Sequence, residues 1–383
     1  MQSSPTPKTT PATLFLCGDV MTGRGIDQIL LHPSEPHLYE PYVRSALGYV
    51  EIAEQATGRI ERPAEFAYVW GDALAELERV RPDARIINLE TAVTTAEDPW
   101  PGKGINYRMN PANVRCLLAA KIDCCVLANN HVLDWGHRGL AETLDTLRGA
   151  GLRTAGAGRN QAEAASPAAI DLPGNGRVLV FGFAMESSGV PPEWAAGEAR
   201  AGVNFLSDLS GRTVQRIAAE VGAAKRAGDI VVLSIHWGGN WGYAVRSAER
   251  GFAHALIDAG VDVVHGHSSH HPRGIEVYRD RPILYGCGDF LNDYEGIRGH
   301  ESFRPDLALM YLPVVDAGTG RLVRLTLTPM QIRHFRANRA RREDARWLAE
   351  LLSREGRALA TRVDLQPDGT LALRWGVDRG APP

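Results

Sequence analysis

The sequence predicts an α/β fold in which strands alternate with helices. Short apolar runs rich in β-branched residues recur along the chain, and helical stretches separate them from residue 14 to about residue 267. Beyond residue 267 the pattern changes, because strand-like runs follow one another with only short turns between them. This change favours a second, largely antiparallel sheet.

Each apolar run in the first two thirds of the chain is a predicted strand. The runs are LFLCGD ending at Asp19, RIINLE ending at Glu90, CCVLANNH ending at His131, RVLVFGFA at residues 177–184, VVLSIH ending at His236 and VDVVHGH ending at His267. The predicted helices lie at residues 26–31, 70–79, 113–121, 138–149, 208–227 and 248–259. Residues 32–69 are predicted to form a partly helical excursion near the rim of the sheet.

The predicted domain organisation has three parts. Residues 1–12 form a polar tail rich in Pro, Ser and Thr, which we expect to be disordered. Residues 13–335 form the main domain. Residues 336–383 add a helix at 344–357 and a hairpin with a P-D-G turn, packed on the same domain.

Composition limits the classes of partner. The chain has 383 residues, 44% of them hydrophobic and 23% charged, with a net charge of -3, so nucleic acid is not an expected partner. The start of the chain lacks the apolar segment of a signal peptide, and no apolar run approaches membrane-spanning length. The five cysteines form no C-x-x-C pair. We therefore expect a cytoplasmic protein without a membrane anchor; no feature indicates its oligomeric state.

Side chains that can bind metal ions stand where the predicted strands end. They are Asp19, Glu90, Asn130, His131, His236, and a dense turn with His265, His267, His270 and His271. Ligands in open α/β sheets gather at the carboxyl ends of the strands, so these side chains are expected to converge. Taken singly, each has a simpler explanation, such as an Asp or Asn that caps a helix. Their repeated position at successive strand ends favours a metal centre.

Six motifs together resemble a known family. GDVMTGR, INLETAVT, LANNHVLDWG, SIHWGGNW, GHSSHHPRGIEVY and LYGCGDFLNDY are similar to those of the CapA-type poly-γ-glutamate capsule biosynthesis proteins, a branch of the calcineurin-like metallophosphoesterase superfamily. The resemblance spans roughly residues 14–330. It implies a four-layer αββα sandwich of two mixed β-sheets flanked by helices, with two metal ions at the rim.

The resemblance also implies roles for individual residues. The implied metal ligands are Asp19, Glu90 at a bridging position, Asn130, His236, His267 and His270. His131 corresponds to the catalytic imidazole. Asp134 either adds a ligand or orients His131, and Asp289 is a further candidate ligand.

The chain departs from the superfamily pattern at two places. The first motif usually carries a histidine two residues after the aspartate, where this chain has Met21. The closing histidine pair is usually separated by one residue, whereas two residues separate His267 from His270. His265 and His267 restore the shorter spacing, so either pair fits the closing ligands. One metal site is therefore expected to be weak or to use a further ligand.

These features predict a metal-dependent hydrolase. A metal-activated water would attack a phosphoester or a glutamyl-type amide of a small anionic substrate, and His131 would protonate the leaving group. Mixed oxygen and nitrogen ligands suit one or two manganese, iron or zinc ions. The alternative is a non-hydrolytic accessory component of poly-γ-glutamate or capsule polymer biosynthesis.

An anionic substrate requires hydrogen-bond donors and a binding wall. The candidate donors are Arg24, Lys103, Tyr107 and Arg108, and the alternative is that these are solvated groups on a mobile loop. Trp237 is predicted to line the cleft, together with Trp241 and Tyr243. The alternative for these rings is that they pack their loop against the sheet.

Overall fold

Residues 11–174 and 176–376 are described by a computed structural model of the protein. The predicted tail at residues 1–10 and the end of the predicted C-terminal extension, residues 377–383, lie outside this range. Residues 11 and 12, which the sequence places in the tail, already belong to the first strand.

The described strands cover every apolar run that the sequence singles out. They are β1 (Pro11–Val20), β2 (Ala84–Leu89), β3 (Ala92–Val93), β4 (Arg108–Met109), β5 (Cys124–Val126), β6 (Arg153–Ala155), β7 (Ala157–Gly158), β8 (Ala168–Asp171), β9 (Arg177–Met185), β10 (Gly202–Val203), β11 (Phe205–Leu206), β12 (Ile230–His236), β13 (Val263–His267), β14 (Ile275–Tyr278), β15 (Arg281–Leu284), β16 (Asp289–Leu291), β17 (Leu307–Asp316), β18 (Leu322–Ile332), β19 (Ala337–Arg339), β20 (Thr361–Leu365) and β21 (Leu371–Trp375).

A helix lies close to each predicted position; the helix at residues 46–57 falls in the predicted partly helical excursion, and the one at residues 161–165 was not predicted. The helices are α1 (Gly25–Ile29), α2 (Ala46–Thr57), α3 (Asp72–Val80), α4 (Arg115–Ala119), α5 (Gly136–Gly149), α6 (Gln161–Ala165), α7 (Gly211–Ala224), α8 (Ser247–Asp258) and α9 (Arg342–Gly356), with short 3-10 turns at Tyr68–Trp70, Pro111–Val114, Glu186–Ser188, Pro192–Trp194, Glu301–Phe303 and Arg357–Leu359. Caps explain some of the starts: the Ser210 side chain accepts a hydrogen bond from Thr213 N–H at the start of α7.

Two mixed sheets form the centre of the molecule. The first has the strand order β20–β21–β18–β17–β1–β2–β5–β6, with β16 paired to β1 and β19 to β18. The second has the order β11–β9–β12–β13–β15–β14, with β8 paired to β9. The pairs β1–β2, β2–β5, β9–β12 and β12–β13 are parallel.

Alternation along the strands builds four layers. On β1, Leu14 and Leu16 face a core shared with Val180 and Val232 of the second sheet, whereas Phe15 faces the opposite side. On that side α1 to α5 cover the first sheet. The helices α7 and α8 cover the outer face of the second sheet. The four-layer αββα sandwich implied by the family resemblance is therefore confirmed.

The prediction of a separate antiparallel sheet after residue 267 was wrong. The late strands are divided between the two sheets: β14 and β15 extend the second sheet, whereas β17 pairs antiparallel with β1 in the first. Beyond β18, β20 and β21 continue the first sheet, and α9 packs beside β14 and β20. The short turns between these strands were visible in the sequence, but the choice of sheet depends on long-range pairing. Among the described residues, no helix combines the length and the apolar character needed to cross a membrane.

Candidate metal centre

Strand ends from both sheets meet at one rim. Near the end of β1, Asp19 is in register with Asn88 on β2 and with Asp289 on β16. In the second sheet, His236 ends β12 and is in register with His267, which ends β13. The sheets are joined at this point, because the backbone N–H of Ser268 donates a hydrogen bond to Asp19 Oδ2 at 3.2 Å.

Glycine 18 allows the close approach that brings Asp19 next to Asp289. A Cβ atom at Gly18 would lie 1.6 Å from the carbonyl oxygen of Gly288, so only glycine fits. The backbone N–H of Asp19 donates to the same carbonyl at 2.9 Å. Packing therefore requires the glycine of the GD pair near the end of β1, and this glycine allows the Asp19 carboxylate to reach the rim.

Asp19, His236 and His267 form the first set of side chains that could hold a metal ion, which we call the closed group. Their ligand atoms lie within 4.8 Å of one another, and all three residues are buried. The two Nδ1 atoms of the imidazoles are 2.7 Å apart, and Asp19 Oδ1 is 3.9 Å from His267 Nδ1. Burial lowers the pKa of His236 to about 3 and the pKa of His267 well below its usual value. Burial therefore favours the neutral form of both rings, which is the form that binds a metal ion.

Asp19, His270 and Asp289 form a second set, which we call the open group. His270 Nδ1 lies 2.9 Å from Asp289 Oδ1, while Asp289 Oδ2 accepts a hydrogen bond from Asn292 at 2.7 Å. The His270 side chain is 11% exposed, so this group faces solvent on one side. Burial by itself lowers the pKa of His270, but the Asp289 carboxylate outweighs this effect, so the pKa lies above its usual value.

Glu90 and Asn130 lie on the other side of His236. The Nε2 atom of His236 is 3.0 Å from Asn130 Oδ1 and 3.7 Å from Glu90 Oε1. The second oxygen of Glu90, Oε2, is buried, and no hydrogen-bond donor of the described residues reaches it. An unpaired buried carboxylate oxygen is costly unless a cation compensates for it.

The carboxylates of the rim disfavour one another's charge. Burial, and after it the neighbouring Asp289, raises the pKa of Asp19 to about 7, against the effect of hydrogen bonds with Glu90 and Asn88, which lower it. Burial also raises the pKa of Glu90 well above its usual value, with Asp19 adding to the effect. A divalent ion among these groups would restore their charged forms. Oxygen and nitrogen donors, neutral imidazoles and the unpaired Glu90 oxygen fit one or two divalent transition metal ions.

His131 and Asp134 form a pair at the edge of this rim. His131 Nδ1 is 2.6 Å from Asp134 Oδ2, which also accepts the backbone N–H of Tyr107 at 2.6 Å. Lys103 Nζ lies 3.2 Å from Asp134 Oδ1. Burial raises the pKa of Asp134 to about 7, against the effect of Lys103. His131 Nε2 faces Glu90 Oε1 at 3.8 Å, so Asp134 is placed to orient the imidazole.

The four histidines of the dense turn separate into two kinds. His265 uses both ring nitrogens internally, at 3.0 Å from Ser234 Oγ and 2.7 Å from the carbonyl of Cys17. His271 Nε2 accepts the backbone N–H of Gly242 at 3.1 Å. His267 and His270 are the two that approach Asp19. The geometry therefore brings together the pair with the longer spacing, and His265 points into the protein.

Three of the predicted substrate-binding residues lie near the rim. Arg24 is buried, and its guanidinium is held by Asp293 at 2.5 Å and by Glu40 at 2.8 Å. Tyr107 lies with its ring centroid 4.1 Å from that of His131, and its hydroxyl is 2.6 Å from the hydroxyl of Tyr294. Lys103 pairs with Asp134, as described above. Contact of these side chains with a substrate stays a prediction.

The other two predicted substrate-binding residues are placed differently. Trp237 is fully buried in the core of the second sheet, where its indole N–H donates to the carbonyl of Tyr285 at 3.0 Å. It therefore packs the loop against the sheet and does not line the cleft, contrary to the prediction. Arg108 is buried too, donating to the carbonyls of Ala96 and Glu35 at 2.8 and 2.9 Å, and these bonds hold it in a structural position.

Three residues of the centre were not predicted. Asn88 donates to Asp19 Oδ1 at 2.7 Å, and a polar residue inside the apolar run RIINLE was the signal that could have identified it. Tyr294 contacts Met21 Sδ through its hydroxyl at 3.5 Å. Ser268, with a φ of 98°, adopts a conformation rare for a residue with a side chain, and this strain aims its N–H at Asp19.

The chain is similar to capsule and polyglutamate biosynthesis proteins. A family model described as "Bacterial capsule synthesis protein PGA_cap" matches residues 13–294. A probable polyglutamine synthesis accessory protein of Mycobacterium tuberculosis is 49% identical over 362 residues, which cover 94% of this chain and 95% of that protein. The capsule biosynthesis protein CapA of Bacillus anthracis is 24% identical over 310 residues, covering 81% and 66%. The PGA biosynthesis protein CapA of Bacillus subtilis is 27% identical over 246 residues, covering 64% and 60%.

Proposed function

The chain belongs to the family of bacterial capsule synthesis proteins, and from this membership we propose that it is a metal-dependent hydrolase. The proposed substrate is a small anionic molecule, cleaved at a phosphoester or a glutamyl-type amide bond. The observation that supports the proposal best is the position of Asp19, which belongs to both ligand groups. Three buried carboxylates and three imidazoles seldom gather at one rim when their side chains only stabilise the fold.

Each ligand group would hold one ion. The closed group, with Glu90 and Asn130 beside it, offers the larger set of donors, and the open group adds His270 and Asp289. Mixed oxygen and nitrogen donors suit manganese, iron or zinc. When bound, such ions would lower the pKa of a water molecule and polarise the oxygen of the bond that is cleaved.

His131 is the residue placed to move a proton. His131 Nδ1 is hydrogen-bonded to Asp134 Oδ2, and Nε2 is the nitrogen that faces Glu90 at the rim. We expect Nε2 to take the proton released by the attacking water and to pass it to the leaving oxygen or nitrogen. The contact of Asp134 with Nδ1, and the hydrogen bond from the Tyr107 backbone N–H to Asp134, support a role for Asp134 in orienting the ring.

Turnover by a panel of substrates tests this function. Wild-type protein loaded with manganese, iron or zinc is assayed with phosphoesters and γ-glutamyl amides, next to His131→Ala and the control His137→Ala. His137 is an exposed histidine at the start of α5. We expect turnover by the wild type, a loss of roughly 10²- to 10⁴-fold in His131→Ala with its metal content retained, and no change in the control.

An accessory role in polymer synthesis without hydrolysis is the second candidate. The name of the Mycobacterium tuberculosis relative, at 49% identity, favours it. Turnover of no substrate by metal-loaded wild type would support this role. Full activity in His131→Ala would remove His131 from the mechanism and leave hydrolysis to other groups.

A further inference from the structure

A cavity of about 180 Å³ opens beside His270, and we call it the distal cavity. Its walls include Tyr42, Trp241, Ile297, Arg298 and His300. The volume corresponds to roughly six water molecules at ~30 Å³ each, so the cavity has room for a group larger than a single ion. His270 belongs to both the distal cavity and the open group, so a substrate at the metal centre would extend into it.

The lining of the distal cavity favours an anionic group. Among the described residues, no Asp or Glu side chain lines it, whereas Arg24 and Arg298 do. The guanidinium of Arg24 is already held by Asp293 and Glu40. Arg298 is exposed and forms no direct ion pair within the described part of the chain, although the Glu301 carboxylate, which does not line the distal cavity, interacts with its charge. A guanidinium without a direct carboxylate partner can still make bidentate contact with a carboxylate of a ligand.

The mouth of the cavity is apolar. Tyr42 and Ile297 are 66% and 47% exposed, and both line it. Trp241 stacks on His300 with ring centroids 3.9 Å apart. Gly296 and Gly299, with φ of 86° and 113°, flank Ile297 and Arg298 and let this segment turn over the opening. These side chains offer an apolar surface on which the carbon chain of a ligand can pack.

A neighbouring cavity of about 560 Å³ has the opposite character. It shares Tyr294 and Ile297 with the distal cavity, but Glu295, Glu301 and Asp306 line it. Its Arg304 is bound to Asp306 at 2.8 Å and so does not offer a free charge. The three carboxylates make the neighbouring cavity less favourable for an anionic group than the distal cavity, whose described lining contains none. The neighbouring cavity also contains the exposed Arg333, which provides a matched control.

We infer that the distal cavity binds the leaving-group side of the substrate, with Arg298 contacting a carboxylate and with Trp241 and Tyr42 flanking the chain before it. This inference rests on the proposed function, which places the scissile bond at the metal centre. It makes Arg298 a specificity-determining residue that distinguishes substrates whose leaving group carries a second negative charge.

Binding of a matched pair of dipeptides tests the inference. The ligands are γ-glutamylglutamate and its analogue with both carboxyl groups of the second residue amidated, and affinity is measured by calorimetry with the metal-loaded His131→Ala protein. In this background we compare Arg298→Gln, Arg298→Lys and Arg333→Gln. We expect Arg298→Gln to weaken binding of the acidic dipeptide about tenfold, the loss expected for one charge-assisted hydrogen bond at an exposed site. Arg298→Lys is expected to lie between, and Arg333→Gln to match the parent.

The amidated dipeptide is expected to bind weakly and to be insensitive to position 298. Equal affinity of the two dipeptides, an unchanged affinity in Arg298→Gln, or no binding of either dipeptide would overturn the inference. These outcomes are separate from the failure of the proposed function. If binding depends on Arg298 but the wild type turns over no substrate, hydrolysis is refuted and the role of the distal cavity in binding stands. If the wild type turns over substrate but Arg298→Gln changes neither turnover nor binding, hydrolysis stands and the inference about the distal cavity is refuted.

Discussion

The closed and open groups share Asp19 but hold their other two side chains in different ways. In the closed group, His236 and His267 are 1% and 0% exposed, and their Nδ1 atoms face each other at 2.7 Å. In the open group, His270 keeps 11% of its side chain exposed, and its Nδ1 is engaged by Asp289 at 2.9 Å. One group is buried and formed by two neutral rings, and the other is an imidazole–carboxylate pair at the edge of a cavity.

This difference indicates that the two groups should differ in their affinity for an ion, mainly because one is more deeply buried than the other. An ion in the closed group would meet side chains that are already fixed by Asn130 and Ser234. An ion in the closed group has to replace the contact between the two Nδ1 atoms of His236 and His267, whereas an ion in the open group has to replace the charge-assisted hydrogen bond between His270 and Asp289. Tyr294 contacts both the ring of His270 and Met21, which stands where the superfamily usually has a histidine. We therefore expect the closed group to bind its ion more tightly.

The largest effect is expected from Asp19→Asn, because it removes the carboxylate that both groups share. Both ions should be lost, and turnover should fall at least about 100-fold. The ion-free variant should unfold at a temperature close to that of the ion-free wild type, because the repulsion from Asp289 is gone but the new amide NH2 faces one of the two donors that the carboxylate accepts, Asn88 Nδ2 or Ser268 N–H. Elemental analysis and thermal unfolding measure these quantities. The control is Asp145→Asn, an exposed aspartate on α5; retention of both ions in Asp19→Asn would remove Asp19 from the centre.

A smaller effect is expected when the groups are broken one at a time. His267→Ala should lose the tighter ion and about 2–3 kcal/mol of unfolding free energy, because Ser234 and His236 lose a buried partner. His270→Ala should lose only the weaker ion and about 1 kcal/mol. Titration of each ion-free variant with Mn²⁺ and denaturant unfolding give the two numbers. If His270→Ala loses the tighter ion, the ranking of the two groups is reversed.

The smallest effect on the centre is expected from Arg108→Gln. Arg108 donates to two backbone carbonyls and stacks on Trp135 with its guanidinium carbon 4.1 Å from the ring centroid. The variant should lose about 1–3 kcal/mol of unfolding free energy and keep the metal content and the substrate affinity of the wild type. Denaturant unfolding and elemental analysis check both statements. A selective loss of substrate affinity at unchanged stability would restore the predicted substrate-binding role.

The fold and the position of the centre could be predicted from the sequence because both depend on local patterns. Apolar runs ending in Asp19, His236 and His267 marked the strands and also the rim at which they stop. The family motifs supplied the two-sheet architecture. The division of the late strands between the sheets could not be predicted, because antiparallel pairing of β17 with β1 joins residues that are 295 to 305 positions apart.

The orientation of single side chains was also beyond the sequence. His265 and His267 lie on the same face of β13. His265 nevertheless contacts the carbonyl of Cys17 inside the protein, whereas His267 lies at the end of the strand. Similarly, Trp237 and Trp241 belong to one aromatic loop, but Trp241 lines the distal cavity whereas Trp237 is fully buried. The spacing of residues in the sequence shows which residue types stand at the ends of the strands. Packing between the two sheets decides which of their side chains point toward the candidate metal centre.

Metal content tests the central claim most directly. Protein purified without chelator is analysed for transition metals as wild type and as the double variant Asp19→Ala/His236→Ala, in which both groups lose a ligand. We predict one or two equivalents of manganese, iron or zinc in the wild type and none in the variant. No bound metal in the wild type, with none taken up from added manganese, iron or zinc, would contradict the hydrolase account and favour the accessory role.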